Sequence, residues 1–510
     1  MIKLRPFCIF QRGVGEAETF FPAINPKLIH FDDIYSLTKG GFVSIEEDHS
    51  ADSCRGRKHY RPGECGLEEQ ERSSKQSAAY KEEEDLSEMF DKVLMCTDDN
   101  ANGPSGACKQ RQKERNGRKI RSNKRGNGNE IVDLQSLLIS CAKSVAAGDY
   151  GAALEQLKRV RQHSSPVGDA NQRVAHAFAD GLEARIAGTG AQLYPSSLYQ
   201  NKILISEMQK SHLSSSLPFM RILIFFANKM IYKVASRGAS LHVIDFGILH
   251  GIQWPTLIRD LSQRPGGPPK LRITGIELPQ PGFRPSQMIA DTGCRLAKYC
   301  ERFGVPFEYN PITAKRWEAI KIDDLKLTKG EVVAVNCTAR LKILLDETVC
   351  GADSPRDIVL NFIQEVNPHI FVHSVLSASH NSPFFLNRFR EALFFYTAIF
   401  DMLEAIFPSN DSQRLNFEQA FMGSSIANIV ACEGKERLER PETYKQWQSR
   451  TMRAGFKPVP LNPKLLKKLK DKAQEAYHKD FQFGEDGHWV LQGWKGRIIS
   501  GSSAWVTQNL

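Results

Sequence analysis

The run Leu241-His242-Val243-Ile244-Asp245 constrains this chain more than any other stretch. It is short, apolar at successive positions apart from His242, and ends in an acid with Gly247 close behind. A strand that is apolar at every position, not every second one, has to be covered on both faces. That is the situation of a parallel strand between two layers of helices. The residues that follow keep the rhythm. Leu257 to Leu261 sits in a helical stretch, and the Pro/Gly turn from Arg264 to Pro269 leads to a second strand, Leu271 to Ile276. Helix 286–303 precedes a short strand around Phe307, and Glu331 to Asn336 and His369 to Ser374 supply two more. Strands alternating with helices predict an α/β fold with a doubly wound sheet.

Upstream the period changes. Ile131, Leu134, Leu137, Leu138, Cys141, Ala142 and Val145 mark one face of a helix that stops near Gly148. Further helices are predicted at Tyr150 to Gln162 and Gln172 to Ala187, the second ended by Gly188. Residues 130–235 therefore read as a mainly helical cap. Residues 236–510 read as an α/β core with room for an insertion that returns to the cap.

Residues 51–129 are predicted to be disordered, because Lys, Glu, Ser, Gly and Asn dominate and little apolar area is available to offset ordering entropy. Two islands stand out. From Glu82 to Met95 four successive acids precede Leu86, Met89, Phe90, Val93 and Leu94 at helical spacing. This is either a segment that folds on a partner or a solvated charge run with a few hydrophobes. The second island holds Lys109, Arg111, Lys113, Arg115, Arg118, Lys119, Arg121, Lys124 and Arg125 against one acid, Glu114. Clustered bases of this kind are read by nuclear import receptors, and also by nucleic acid, the bland alternative being a solubilising linker. The island accounts for +8 of the formal net charge of +10. The remainder is close to neutral, which speaks against a large basic nucleic-acid groove. Residues 1–50 carry no interpretable pattern and stay unassigned.

Eleven scattered cysteines without a C-x-x-C pair exclude a disulfide framework or a zinc finger of ordinary spacing. The N-terminus lacks the apolar stretch of a signal peptide, and the most apolar runs, Phe219 to Ala227 and Ala392 to Phe407, are too short or too charged to span a bilayer. The expectation is a soluble intracellular protein with no membrane partner.

Five blocks in order resemble the GRAS family of plant transcriptional regulators. Leu241 to Asp245 is similar to its VHIID element. A first leucine-rich region matches Leu134 to Gly190, including Arg161-Gln162-His163-Ser164-Ser165-Pro166 and Phe178 to Arg185, and a second matches Thr292 to Tyr309. A PFYRE region covers Pro355 to about Pro408 and extends to Ala431-Cys432-Glu433-Gly434. A SAW region runs from Arg453-Ala454-Gly455-Phe456 through Gly493-Trp494-Lys495-Gly496 to Ser503-Ala504-Trp505. Leu86 to Asp91 is similar to the acidic-hydrophobic repeats of a SCARECROW-like branch. The chain departs from the family pattern at Ser206 to Leu217, Leu376 to Asn381 and Gln419-Ala420. The resemblance implies a Rossmann-like, methyltransferase-like sheet with a helical cap, and a nuclear coactivator. It further implies action through transcription factors and coregulators, homo- or heterodimers with other GRAS proteins, and weak or indirect DNA contact. A diverged, non-functional paralogue is an alternative that the departures allow.

The other alternative is an adenosylmethionine-dependent methyltransferase. Such enzymes need two or three glycines after the first strand so that the backbone approaches the cofactor closely. Here the run is Asp245-Phe246-Gly247-Ile248-Leu249-His250-Gly251, with Leu249 at the middle position. Glu277 ends the second strand, where an acid would meet ribose hydroxyls, though a strand-terminal acid more often caps the next loop. No catalytic set follows, so the expectation is a non-catalytic sheet with no cofactor and no metal. Leu134-Gln135-Ser136-Leu137-Leu138 is an L-x-x-L-L sequence. It would serve either a coregulator groove or the core of the cap, the second being the commoner fate of such leucines. Together with Leu86, Met89 and Phe90, these leucines are the candidate partner-binding residues. His242, Asp245, Gly247, Trp494 and Trp505 are read as structural, as is Trp489, and the loop carrying Arg437, Glu439 and Arg440 is expected to pair internally.

Overall fold

The computed structural model describes residues 132–190, 218–236, 238–280, 282–351, 354–408 and 411–507. The chain begins with helices α1 (Leu134–Ala146), α2 (Tyr150–His163) and α3 (Ala170–Ile186), and after a gap continues with α4 (Pro218–Ala235). Local signals fix the ends. Asp133, Asp149 and Asp169 each accept a hydrogen bond from a first-turn backbone N–H, and Gly148 and Gly188 take positive φ past the C-termini of α1 and α3. Next come β1 (Ser240–Phe246), α5 (Trp254–Ser262), β2 (Lys270–Glu277), α6 (Gln287–Arg302), β3 (Phe307–Thr313) and β4 (Val332–Thr338). They are followed by α7 (Pro355–Val366), β5 (Ile370–Leu376), α8 (Phe385–Ile406), α9 (Gly423–Ala431) and α10 (Tyr444–Arg453). The last elements are β6 (Phe456–Pro458), α11 (Pro463–Ala476), β7 (Phe481–Asp486), β8 (Trp489–Trp494) and β9 (Arg497–Thr507).

One sheet runs in the order β3-β2-β1-β4-β5-β9-β8-β7, with β6 paired to β9 off that path. The five strands expected from the sequence are parallel, with Leu241 opposite both Leu271 and Val332. The remaining strands are antiparallel and add the last part of the chain to β5 through β9. Burial of every residue from Leu241 to Phe246 agrees with the two-sided covering that the apolar run demands.

Three buried clusters organise the interior. One joins α1, α2 and α3 to α8 and α9, with Phe178 packed edge-on against Phe389 at 5.3 Å. The cap is thus completed by residues returning from 385–431. The second lies on one face of the sheet and includes Ile222, Phe226 and Met230 of α4 beside Leu469 of α11. Helix α4 therefore belongs with the α/β core, not with the cap to which its sequence position assigned it. Its apolar faces are wide enough to cover β4, β5 and β9, and position in the chain says nothing of that. The third cluster, on the opposite face, gathers Phe246, Trp317, Trp447, Trp489 and Trp505. No helix among the described residues is long and apolar enough to cross a membrane.

Candidate functional site

The strand order reverses between β1 and β4, and their carboxyl ends form the crevice where open α/β sheets bind ligands. Asp245 lies at its floor. Its carboxylate accepts hydrogen bonds from Trp254 Nε1 at 2.9 Å and Asn336 Nδ2 at 2.8 Å. Burial pushes its pKa up to about 7. Gln253 extends this network to Asn228, Asn336 and Thr338. The floor is polar, yet its groups bond to one another.

The turn above β1 has the φ of a close-approach loop, +91° at Gly247 and +70° at Gly251. Leu249 is also left-handed, with φ of +50°. The space beside Gly247 is taken by the protein itself. A Cβ built on Gly247 would lie 2.3 Å from Cγ of Arg340. Arg340 follows Ala339, whose φ of +57° turns the chain back over the crevice after β4. Its guanidinium reaches across the turn to Glu277 Oε1 at 2.6 Å. Glu277 also accepts from the backbone N–H groups of Leu278 at 2.9 Å and Leu249 at 3.2 Å. The acid that could have met a ribose caps its own loop and pairs with Arg340. The close approach that Gly247 permits is used by a side chain of this protein. Arg340 had no sequence signal: it stands just after a strand, and only the fold brings it to Gly247 and Glu277.

His242 is fully buried. Its Nε2 lies 2.8 Å from Thr274 Oγ1, and its Nδ1 lies 2.9 Å from Arg272 and 3.1 Å from Glu331. Burial, reinforced by the Arg272 charge, lowers its pKa to about 4, so the ring is neutral and its role is to tie β1 to β2. Trp494 donates to Asp401 at 2.5 Å and Trp505 to Ser503 at 2.6 Å, both from buried rings. The 437–440 loop pairs internally. Lys342 bonds Glu439 at 2.8 Å, Arg440 faces Asp346 at 3.5 Å, and Arg437 donates to the carbonyl of His380.

The L-x-x-L-L sequence does not present a free docking face. Leu138 is fully buried in the cap cluster, and Leu134 and Leu137 pack partly against it, because the same stripe that would meet a groove meets α8 and α3. Leu86, Met89, Phe90, the basic run 109–125 and Ser206 to Leu217 lie outside the described residues. Gln419-Ala420 falls in a single π-helical turn, Phe417–Met422, where Gln419 donates to the carbonyl of Pro166 at 3.4 Å.

A second cluster escaped the sequence altogether. Glu442, fully buried, accepts from Arg450 Nε and Nη2 at 2.8 and 2.7 Å and faces Arg356 at 2.8 Å. Arg450 also holds Glu347 and Asp357. The knot ties α7 to α10.

Residues 134–506 match the GRAS domain family. The chain belongs to the GRAS family. It is 46% identical to Scarecrow-like protein 14 of Arabidopsis thaliana, covering 98% of this chain and 69% of that protein. With Scarecrow-like transcription factor PAT1 of the same plant it shares 32% identity over 73% of this chain and 76% of the relative. The crystal structure of SCL7 from Oryza sativa aligns with a TM-score of 0.62 and 28% identity, covering 73% of this chain and 99% of that one. In this GRAS domain the VHIID block is β1, the PFYRE block spans α7 to α8, and the SAW block supplies the antiparallel half of the sheet.

Proposed function

We propose that this GRAS protein regulates transcription in the nucleus as a coactivator, recruiting protein partners to DNA-binding factors, with its α/β sheet serving as scaffold. Family membership supports the coarse part, regulation of transcription. The finer part rests on one observation. The crevice at the sheet's switch point is closed by Arg340 lying over Gly247 and pairing with Glu277, so the surface left for function is that of the cap, the sheet edges and the N-terminal region. Partners in this reading are transcription factors, coregulators and other GRAS chains, and DNA is reached mainly through them.

The test is recruitment. Tethered to a heterologous DNA-binding domain, the full chain should activate a reporter. Changing Leu86, Met89, Phe90 and Leu94 to Ala should bring the signal near background while leaving the charge intact. A parent chain that fails to activate would sink the coactivator reading. The methyltransferase reading has its own assay: the full chain in calorimetry with millimolar adenosylmethionine should show no binding heat, and micromolar affinity would mean that Arg340 yields to the cofactor.

A further inference from the structure

Residues 1–108 sum to −7 and nearly cancel the basic run, so residues 130–510 carry +9, two thirds of it on one face. Helices α4 and α11 lie side by side on one layer of the sheet. They carry Arg221, Lys229, Lys233, Lys464, Lys467, Lys468, Lys470 and Lys472 against two acids, Asp471 and Glu475. With +6 there and +8 in the run 109–125, every other residue of the chain together carries −4. Three of these ammonium groups converge on one half-buried ring. Nζ of Lys472, Lys229 and Lys468 stand 5.0, 5.4 and 5.7 Å from the centroid of Phe225. Lys229 is partnered by Asp260, while Lys464, Lys467 and Lys470 point outward from α11 and are exposed. Between them, Leu465, Leu466, Tyr232 and Phe225 remain only partly covered. The face thus offers like charges held close together around apolar surface, and it fits an anionic segment that also carries hydrophobes.

One such segment is in the chain. From Glu82 to Asp91 there are six carboxylates (Glu82, Glu83, Glu84, Asp85, Glu88 and Asp91) and no base, with Leu86, Met89 and Phe90 among them. We propose that the α4–α11 face binds Glu82–Asp91 of the same chain, so that the recruiting segment is held on the GRAS domain until a partner displaces it. About 40 residues separate the segment from α1, and a random coil of that length has an r.m.s. span of about 35 Å. Tethering also gives the segment an effective concentration of order millimolar, so a weak contact suffices. The inference deepens the coactivator reading, because it supplies regulation for the segment that reading makes responsible for recruitment.

Zero-length carbodiimide cross-linking of the full chain tests it. Carboxylates of 82–91 should join lysines of α11, with Lys468 and Lys472 among the acceptors. The triple variant K464E/K467E/K470E alters only exposed side chains and should fold as the parent does. It should reduce the cross-links at the unchanged Lys468 and Lys472 about tenfold. Adding E82K/E83K/E84K to that variant should restore cross-linking with the polarity reversed. Cross-links from 82–91 that go instead to the lysines of 109–125, or spread evenly over the domain, would overturn the proposal. So would a triple variant that loses affinity for a non-specific DNA duplex while its cross-links stay unchanged, which would give the face to nucleic acid. In the purified chain no partner competes, so cross-linking reads docking alone; in the cell partners displace the segment, so the reporter reads recruitment, and the two readings fail separately.

Discussion

Gly247→Ala and Arg340→Ala, made singly and together, measure how the switch-point crevice is closed. The Ala at 247 incurs two costs. Its φ of +91° is strained for any L side chain, worth about 1–2 kcal/mol. Its methyl would also sit 2.3 Å from Arg340 Cγ, forcing that side chain off Glu277 and leaving a buried carboxylate short of its ion pair, worth about 3 kcal/mol more. Arg340→Ala removes the pair directly and should cost about 3 kcal/mol by itself. If the two changes were independent, the double variant would lose about 7–8 kcal/mol. If Arg340 lies over Gly247 as described, the loss of the pair is counted once; Ala at 340 keeps the Cβ that stands 2.7 Å from the new methyl, a residual contact of about 1 kcal/mol, so the double variant loses about 5–6 kcal/mol, a coupling of about 2 kcal/mol. For a folded unit of roughly 350 residues, 1 kcal/mol moves the midpoint by about 1–1.5 °C. Gly247→Ala should therefore lower Tm by about 5–6 °C in the parent and by about 3 °C in the Arg340→Ala background. Scanning calorimetry on the full chain reads all four values. Additive shifts would refute the geometry, because they would mean that the methyl and the guanidinium do not share space.

Glu442→Gln keeps the shape of the α7–α10 knot but leaves Arg356 and Arg450 facing each other without their shared carboxylate, and Tm should fall by about 4 °C. His373 sits in β5 between Phe371, Trp447 and Trp489 with neither ring nitrogen bonded, and burial lowers its pKa to about 3. A folded-state pKa below the unfolded value means that the unfolded chain binds the extra proton first. Stability is then fully present above about pH 6.5 and is lost as pH falls toward 3. His373→Leu should flatten that acid limb in melts between pH 7 and 4, and an unchanged slope would count against the assignment. Replacing the nine Lys and Arg of 109–125 by Ala should move a fluorescent fusion from nucleus to cytoplasm; a nuclear signal that persists would place import elsewhere.

The parallel half of the sheet was legible because two-sided burial writes itself as contiguous apolar runs, and helix ends were legible at Gly148 and Gly188, where backbone geometry selects glycine. The antiparallel half was not. Strand β9 reads Arg-Ile-Ile-Ser-Gly-Ser-Ser-Ala-Trp-Val-Thr, a composition suited to a loop, and becomes a central strand through long-range fits. Ser502 and Ser374 hydroxyls meet at 2.8 Å across the ladder, and a Cβ on Gly501 would stand 3.1 Å from the Trp489 ring. Buried arginines are illegible for a related reason. Arg356, Arg388 and Arg440 are fully buried, and nothing local distinguishes them from surface arginines, since their partners lie 45 to 94 residues away. The charge sum misled in the same way: the chain outside 109–125 sums to only +2, yet residues 130–510 carry +9, of which α4 and α11 collect +6 from two distant stretches.

The cap's two-part construction bears on how the molecule is made. Helices α1 to α3 leave the ribosome first, yet the helices that cover them, α8 and α9, follow some two hundred residues later, roughly 10–40 s at ordinary synthesis rates. During that interval the apolar stripe of Leu138, Phe178 and Leu182 has no native lid, and β9, which bridges the parallel and antiparallel halves, is the last of the described strands to be made. Such a nascent chain should be a chaperone client through most of its translation. A message cut short between β8 and β9 would yield a protein with its sheet split down the middle, and an earlier cut would remove the antiparallel half.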